Sequence, residues 1–320
     1  PSSSSADTVA EQSSMFRFRF VCEYVGTRFN GWQKQPLLDG NATTVADAIE
    51  QALVSSGAGE LVGSVVGAGR TDTGVHALGQ AGHFDFRFKR GVAEPGAAVR
   101  DMINHWLPGA HRNAVRILDC QQTRSDFHAR FDCTSRLYVY RIVATKGAAS
   151  RLFDAQTAWC LPHHVDVDLM RQAAALLTGT HDLAAFRAVG CTSPTTVRQV
   201  SLSVDEDVDM LNALRQRAVA DAVRGSDAQH LTITTEQRSF LYKQVRMMVS
   251  SLVDVGCKRK TLDDIRRMLD TGRPSGAVRM APPQGLFFVN ANYPADVDSV
   301  APRRTANEAE EGAGTTDNFA

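Results

Sequence analysis

The chain has 320 residues, of which 43% are hydrophobic, and it carries 35 basic and 35 acidic side chains. This length and composition are typical of a soluble globular protein with a sizeable core, arranged in two domains. No apolar run approaches the roughly 20 residues that are needed to cross a bilayer, and the N-terminus lacks the pattern of a secretory signal. We therefore predict no membrane partner.

The spacing of cysteine and histidine bears on location and on metal binding. The six cysteines include no Cys-x-x-Cys pair, which favours reduced thiols in an intracellular compartment, cytoplasmic or nuclear. A mitochondrial location remains an alternative, because the chain does not begin with Met and a targeting segment can have been removed. The adjacent pair at 163–164 lacks the i, i+4 spacing of helical zinc ligands, so we predict no metal site.

The two ends of the chain differ in composition from the rest. Residues 1–14 and 296–320 hold few large apolar side chains, so we predict disordered tails, the second of them acidic. Together they carry eight acidic and two basic residues, which leaves a net charge of +6 on residues 15–295. A modestly basic core of this kind is a weak indication of a surface that contacts phosphate groups.

Hydrophobic periodicity predicts the elements of the first half of the chain. Residues 16–21 alternate with period two, and their polar side carries Arg17 and Arg19. Thr44 and Asp47 have the spacing of a capping box at the start of a helix. The predicted elements are a strand at 16–21, a helix from 45 to about 57, a strand at 81–88 and a helix at 99–106.

The second half reads in the same way. An apolar stripe at 240–255 predicts the strongest helix of the chain, with Arg246 beside the stripe. Between two predicted paired strands lie about 25 residues with a possible amphipathic helix at 210–223, either a lid or a lineage-specific insertion. The other predicted elements are a strand at 136–142, a helix at 166–177, the paired strands 200–204 and 231–235, and a short helix from Thr261 to Gly272.

The most informative segment is GAGRTDTGVHALGQA at residues 67–81. It places Arg70, Asp72 and His76 between glycines that keep the backbone free, as expected of a loop that presents side chains to a substrate. A Gly, Thr and Asp cluster between apolar runs is more often a simple turn. Composition alone leaves both interpretations open.

The segment RTDTGVHA at 70–77 resembles the catalytic-aspartate loop of the TruA-type tRNA pseudouridine synthases. Five positions depart from that family's usual residues without replacing an assigned catalytic group, namely Val25, Leu183, Gln244, Met247 and Ser250. Further blocks resemble the family in the same order along the chain, EYVGTRFNGWQ at 23–33, RLYVYRI at 136–142, GTHDLAAFR at 179–187, FLYKQVRMMVSSLVDVG at 240–256 and APPQGLFF at 281–288.

The resemblance implies an α+β fold with two ferredoxin-like halves, at residues 15–122 and 123–295. Their antiparallel sheets would meet at a central catalytic cleft, with helices on the outer side. The implied reaction is the isomerisation of uridine to pseudouridine in tRNA, which needs no cofactor. The family's usual target is the anticodon stem-loop, and family members of this size are commonly homodimers.

The resemblance also implies roles for individual residues. Asp72 would attack C1′ of the ribose or remove a proton at C2′, and Arg246 would hold its carboxylate through two hydrogen bonds. Tyr138 would stack on the extruded uracil and could take the C5 proton. The other candidate substrate contacts are the apolar Leu286 and the polar Arg70, His76, His181, Arg17 and Arg19.

Two other classes of function compete with this reading. A catalytically silent RNA-binding relative would keep the basic face, but it would not need Asp72, Tyr138 and Arg246 together. A small-molecule enzyme could use Asp72 and His76 as acid and base, but it would not need a basic core or an aromatic platform. The residues favour the pseudouridine synthase interpretation.

Overall fold

In the computed structural model, the described residues are 15–35, 43–90, 95–146, 152, 154–206, 228–276 and 279–297. The possible helix at 210–223 lies outside them, as do residues 1–14 and 298–320. No helix in the described ranges is long and apolar enough to cross a membrane.

The first half is a four-stranded antiparallel unit with two helices. The strand order is β4-β1-β3-β2, the order of a ferredoxin-like βαββαβ unit. Its elements are β1 (Met15–Tyr24), α1 (Val45–Ser55), β2 (Gly59–Gly67), β3 (His76–Phe88), α2 (Pro95–Trp106) and β4 (Val115–Gln122).

The second half repeats this arrangement with additions. Its main strands have the order β10-β5-β9-β8, and β6 and β7 pair with β5 and β8. Its elements are β5 (Ser135–Thr145), β6 (Trp159–Leu161), α3 (Val167–Leu177), β7 (Gly179–Asp182), β8 (Val197–Glu206), β9 (Ala228–Gln237), α4 (Gln244–Gly256), α5 (Leu262–Thr271) and β10 (Leu286–Asn292).

The two halves share one ten-stranded sheet, because β3 and β10 pair in parallel with Phe287 opposite His76. The C-terminal part of β3 pairs with β2, and only its first residues pair with β10. Since β3 and β10 run in the same direction, the loop before β3 and the turn before β10 meet at one end of the sheet. The predicted α+β class is confirmed, and the sheets of the two halves are joined edge to edge.

Local sequence explains why these elements form. Thr44 caps α1, because its side chain accepts a hydrogen bond from the Asp47 backbone while the Asp47 carboxylate accepts one from the Thr44 backbone. The alternating aromatic residues of β1 and β3 bury one face of the sheet, where Phe18 lies opposite Phe84 and Phe20 packs beside them. Each strand and helix predicted within the described ranges is present, with differences at some of the ends.

The structure differs from the sequence prediction at several element ends and strands. Helix α4 begins at Gln244 and not at Phe240, since Lys243 has a left-handed backbone with φ of 59° and the Gln244 side chain accepts from the Leu241 N–H. The sequence analysis does not predict strands β2, β4, β6, β7 and β10; β2 contains three glycines, and half of the residues of β4 are polar. Residues 296 and 297, which the sequence analysis places in the C-terminal tail, belong to the folded part, because Val297 is buried and its carbonyl accepts from Thr123.

Candidate active site

A cavity of about 710 Å³ lies where the two halves join, at the starting ends of β3 and β10. A volume of this size is in the range of sites for small ligands and exceeds what a single nucleoside needs. The first half contributes the loop at 68–75, and the second half contributes the segments 130–138, 190–198 and 238–246 together with Leu286.

Asp72 and Arg246 form an ion pair in this cavity. The Arg246 Nη1 donates to Asp72 Oδ2 at 2.9 Å, with the two side chains 12% and 23% exposed. Arg246 Nε donates instead to the Ala281 carbonyl at 2.7 Å, and the Ala281 N–H donates back to the Arg246 carbonyl. The expected contact between 72 and 246 is therefore present, with one hydrogen bond to the carboxylate in place of two. The hydrogen bond to Ala281 fixes the guanidinium to the segment APP at 281–283.

The backbone beside Asp72 is held by the aromatic block of the first half. The Trp32 N–H donates to the Thr71 carbonyl at 3.1 Å, and the Tyr24 hydroxyl bonds to Thr71 Oγ1 at 2.8 Å. Gly31 has φ of +83°, and a Cβ there would lie 2.7 Å from the Thr71 carbonyl oxygen. The block at 23–33 thus serves as the support of the catalytic loop, and only glycine fits where the two segments touch.

Tyr138 forms the opposite side of the cavity. Its side chain is 7% exposed, and Phe240 and Phe288 meet its ring edge-on at 4.9 and 5.0 Å. Burial raises the pKa of the phenol, an effect that the nearby Arg136 opposes. Within the described part of the chain its hydroxyl has no hydrogen-bond partner, which leaves the oxygen available to a substrate. Leu286 is buried and lines the same cavity.

His76 has a structural environment. It is buried, its ring stacks on Phe287 at 4.8 Å, and it does not line the cavity. Nδ1 accepts from the Gly26 N–H at 3.2 Å, so Nε2 carries the proton and donates to the Gln156 carbonyl at 2.9 Å. Burial lowers the pKa of the imidazole. Both ring nitrogens are engaged by backbone groups, which leaves neither for the substrate contact suggested by the sequence.

The other predicted contacts fall into two groups. Arg70 is exposed and lines the cavity. Arg17 is bound to both carboxylate oxygens of Asp85 at 2.7 Å, while His181 bonds to the Thr178 carbonyl at 3.1 Å. Neither of these two residues lines the cavity, and Arg19 does not line it either. Contact with RNA at these three positions therefore requires a surface wider than the cavity.

Arg136 is a cavity residue that the sequence reading did not single out. It is buried, and it donates to the Ala68 carbonyl at 2.9 and 2.7 Å, to the Arg130 carbonyl at 2.7 Å and to the Arg238 carbonyl. It thereby ties three loops around the cavity. The available signal was its position two residues before Tyr138 in the 136–142 block.

The charge of the cavity is strongly one-sided. Among the described residues that line it, Asp72 is the single acid. A lining with one acidic and seven basic residues attracts an anionic ligand, and the low dielectric of the surrounding protein strengthens the electric field of these charges. No group of three or more His, Cys, Asp or Glu residues in the described ranges has the arrangement of a metal site. Seven basic residues surround Asp72, namely Arg70, Arg130, Arg136, Arg198, Arg238, Lys243 and Arg246.

Comparison with known proteins identifies the family of the chain. A family model described as tRNA pseudouridine synthase matches residues 173–294. The chain is 36% identical to tRNA pseudouridine synthase A of Rhodopseudomonas palustris strain HaA2 over 282 residues, covering 87% of this chain and all of the relative. It is 37% identical to the protein of the same name from Agrobacterium fabrum, covering 91% of this chain and 96% of the relative. A third such protein, from Maricaulis maris, is 33% identical over 88% of this chain and 99% of its own length. The three relatives match this chain over 87% to 91% of its length, and the chain therefore belongs to the family of tRNA pseudouridine synthase A proteins.

Proposed function

We propose that this protein isomerises uridine to pseudouridine in tRNA. The observation that carries the proposal is the arrangement in the cavity: the carboxylate of Asp72 is paired with Arg246, faces the space lined by Tyr138 and Leu286, and is surrounded by cations. An anionic polymer with one extruded base fits this combination of charge and apolar wall. The relatives that carry the name tRNA pseudouridine synthase A support the same assignment.

Asp72 is the reactive group in this proposal. The hydrogen bond from Arg246 fixes the direction of the carboxylate and places a positive charge beside it. The carboxylate either attacks C1′ or removes a proton at C2′, and the bond from C1′ to N1 breaks in both routes. The uracil then turns within the cavity and C5 bonds to C1′. In the first route this new bond displaces the Asp72 carboxylate from C1′, and in the second route the Asp72 carboxyl group returns its proton to C2′. Loss of the C5 proton and gain of a proton at N1 leave the composition of the nucleotide unchanged.

Tyr138 and Leu286 hold the free uracil while it turns. Because burial raises the pKa of the Tyr138 phenol, the group is protonated at neutral pH and serves first as a stacking and hydrogen-bonding partner. It can take the C5 proton only after losing its own. The positive charge of Arg136 favours that loss, since it lowers the pKa of the phenol.

The target uridine must leave its stack to reach Asp72, because neither C1′ nor the ring is accessible inside a paired stem. Arg70 stands on the catalytic loop two residues before Asp72 and is exposed at the cavity. We assign to it the space left by the extruded base or a neighbouring phosphate. The seven cations supply the remaining attraction for the RNA backbone.

Three further parts of the proposal rest on the family resemblance. They are a target in the anticodon stem-loop, action as a homodimer and a cytoplasmic location. The relatives are bacterial proteins, which favours the cytoplasm over the nuclear or mitochondrial alternatives. Light scattering of the purified protein measures the oligomeric state. A monomer with full activity would reject the proposal that the protein acts as a homodimer.

The competing functions are less consistent with the site. The small-molecule acid and base enzyme needs His76, which is buried with both nitrogens bonded to backbone groups. The silent RNA-binding relative does not need the ion pair between Asp72 and Arg246.

The deciding experiment incubates the purified protein with unmodified tRNA transcripts and maps pseudouridine by chemical labelling and primer extension. We expect modification of one or a few uridines without added metal or cofactor. No pseudouridine in any transcript would reject the proposal.

A further inference from the structure

Two large aromatic side chains are exposed at the mouth of the cavity, on separate loops of the second half. Phe131 is 69% exposed and Tyr242 is 45% exposed, and both line the cavity. An exposed aromatic ring at the edge of a cavity offers a face on which an unpaired base can stack. Neither residue has a task in the reaction proposed above.

Each of these rings has a cation beside it. The Arg130 guanidinium lies 5.7 Å from the centre of the Phe131 ring, and the Lys243 ammonium lies 4.7 Å from the centre of the Tyr242 ring. Neither cation forms an ion pair with any of the described residues. The two pairs therefore repeat one chemical unit, an aromatic face next to a positive charge that is available to an anion.

Both units are fixed in place by their backbones. The Arg130 carbonyl accepts from the buried Arg136, so the segment that carries Phe131 is anchored to the cavity wall. The Tyr242 carbonyl accepts from the Ala188 N–H at 3.1 Å. Lys243 has a left-handed backbone, a strained state for a residue with a side chain, of the kind that is concentrated at functional sites.

We propose that Phe131 and Tyr242 stack on the two bases that flank the extruded uridine, with Arg130 and Lys243 beside the adjoining phosphates. This inference rests on the proposed tRNA substrate and adds to it a site for the neighbours of the target base. Stacking on aromatic side chains combined with nearby cations is how proteins hold unpaired nucleotides without reading their sequence. The one-sided charge of the cavity lining favours a nucleic acid over a protein as the occupant of this mouth.

The test replaces each aromatic residue with leucine, which keeps an apolar side chain but removes the π face. Phe131→Leu and Tyr242→Leu are expected to raise KM for tRNA by about tenfold each, with kcat changed less than about twofold. Trp106→Leu is the matched control, because Trp106 is an aromatic residue on α2 that is as exposed as Tyr242 and does not line the cavity.

A second substrate separates stacking from a general structural effect. It is the same tRNA with abasic nucleotides on both sides of the target uridine, so it has no flanking bases to stack. The leucine variants should then have the same KM as the unmodified protein. An unchanged KM with normal tRNA, or an equal loss on the abasic substrate, would overturn the inference.

A binding measurement keeps this inference distinct from the proposed reaction. Anticodon-arm hairpins with single 2-aminopurine substitutions lose fluorescence when that base stacks on a protein ring. Quenching that disappears in Phe131→Leu or Tyr242→Leu supports the stacking site even if no pseudouridine forms, in which case only the proposed reaction fails. Turnover by the unmodified protein without any such quenching would reject the stacking site alone.

Discussion

The cavity has two charged walls that use their arginines differently. On the helix wall, formed by α4 and the segment at 281, Arg246 binds the Asp72 carboxylate. On the loop wall, formed by the segments 68–70, 130–131 and 238–239, the buried Arg136 binds main-chain carbonyl oxygens. No described carboxylate lies within ion-pairing distance of Arg136. The part-buried guanidinium of Arg246 is therefore neutralised by a carboxylate, and the buried guanidinium of Arg136 is not.

The difference shows how one site can hold two anions. The catalytic carboxylate needs a local counter-ion that fixes its direction, and the helix wall supplies it. The RNA backbone needs a positive surface that no internal acid has neutralised, and the loop wall supplies that. Carbonyl oxygens satisfy the donors of a buried guanidinium without cancelling its charge. The excess positive charge therefore lies on the loop wall, apart from the Asp72 carboxylate that it would otherwise attract.

The largest effect is expected on the helix wall, from Asp72→Asn. The amide is nearly isosteric, but it can neither attack C1′ nor accept a proton as a carboxylate does, so kcat should fall by at least about a thousandfold. Affinity for tRNA should remain within a few-fold, measured by filter binding. The control is Asp254→Asn, since Asp254 is a buried carboxylate paired with Arg259 and Lys260 outside the cavity. Measurable turnover by Asp72→Asn would contradict the assignment.

Arg246→Met should cause the next largest loss. It leaves Asp72 without its counter-ion, and an unpaired charge in a partly buried site costs about 3 kcal/mol, which corresponds to a fall in kcat of roughly a hundredfold. The affinity for tRNA should fall much less than kcat. Arg259→Met removes an arginine from a carboxylate outside the cavity and serves as the control. If Arg246→Met and the control have equal kinetics, the pair is not part of the reaction.

The loop wall is tested by Arg136→Met and Arg136→Lys. Methionine removes the donor from the buried carbonyl of Ala68 and from the part-buried carbonyls of Arg130 and Arg238, and the loss at Ala68 alone costs roughly 1 to 3 kcal/mol, so the melting temperature should fall clearly. Lysine keeps the charge but not the fork, so it should restore tRNA affinity more than it restores stability. Calorimetry and salt-dependent binding measure the two effects. Equal tRNA affinity of the lysine and methionine variants would show that the charge of Arg136 does not matter.

Acid is expected to weaken the loop wall through His83. Its Nδ1 accepts from the Ala129 N–H, next to Arg130, and burial first and Arg17 second lower the pKa of the imidazole to about 4. The unfolded chain, with a pKa of 6.5, then binds more protons between these two values. The stability present above pH 6.5 is therefore lost as the pH falls to about 4, by roughly 3 kcal/mol. When the free energy of unfolding is measured by urea titration at a series of pH values, His83→Gln should remove this part of its pH dependence. An unchanged dependence of the unfolding free energy on pH in the variant would contradict the prediction.

The sequence predicted the helix wall better than the loop wall, for a physical reason. Asp72 and Arg246 are in motifs with recognisable neighbours, and α4 has a strong apolar stripe. Arg136 differs, because its role depends on carbonyl groups 68 and 102 residues away along the chain. Main-chain carbonyls have no sequence signature, so such a contact is visible only in the folded protein.

The same limit explains the other differences. The imidazole of His76 is engaged by Gly26 and by Gln156, 80 residues away, and no local pattern indicates that contact. Strand β2 is specified by pairing with β3 more than by its own glycine-containing sequence. The exposure of Phe131 depends on which loops leave it uncovered. Periodic elements and motif residues are thus predictable, while the contacts that join distant segments are not.

The smallest effect is expected from the C-terminal acidic segment, which by charge complements the loop wall. Truncation belongs after Val297, because Asp296 is paired with Arg124 and the Val297 carbonyl accepts from Thr123. The removed residues, 298–320, carry five acidic and two basic side chains. If they compete with RNA for the basic cavity, truncation should tighten tRNA binding about two- to threefold at low salt. The gain should vanish as salt shortens the screening length to about 10 Å at 0.1 M, and kcat at saturating tRNA should not change.

A full-length variant with these five acids replaced by amides tests the charge alone and should bind like the truncated protein. Equal affinities of all three proteins across the salt titration would show that the loop wall binds RNA without competition from this segment.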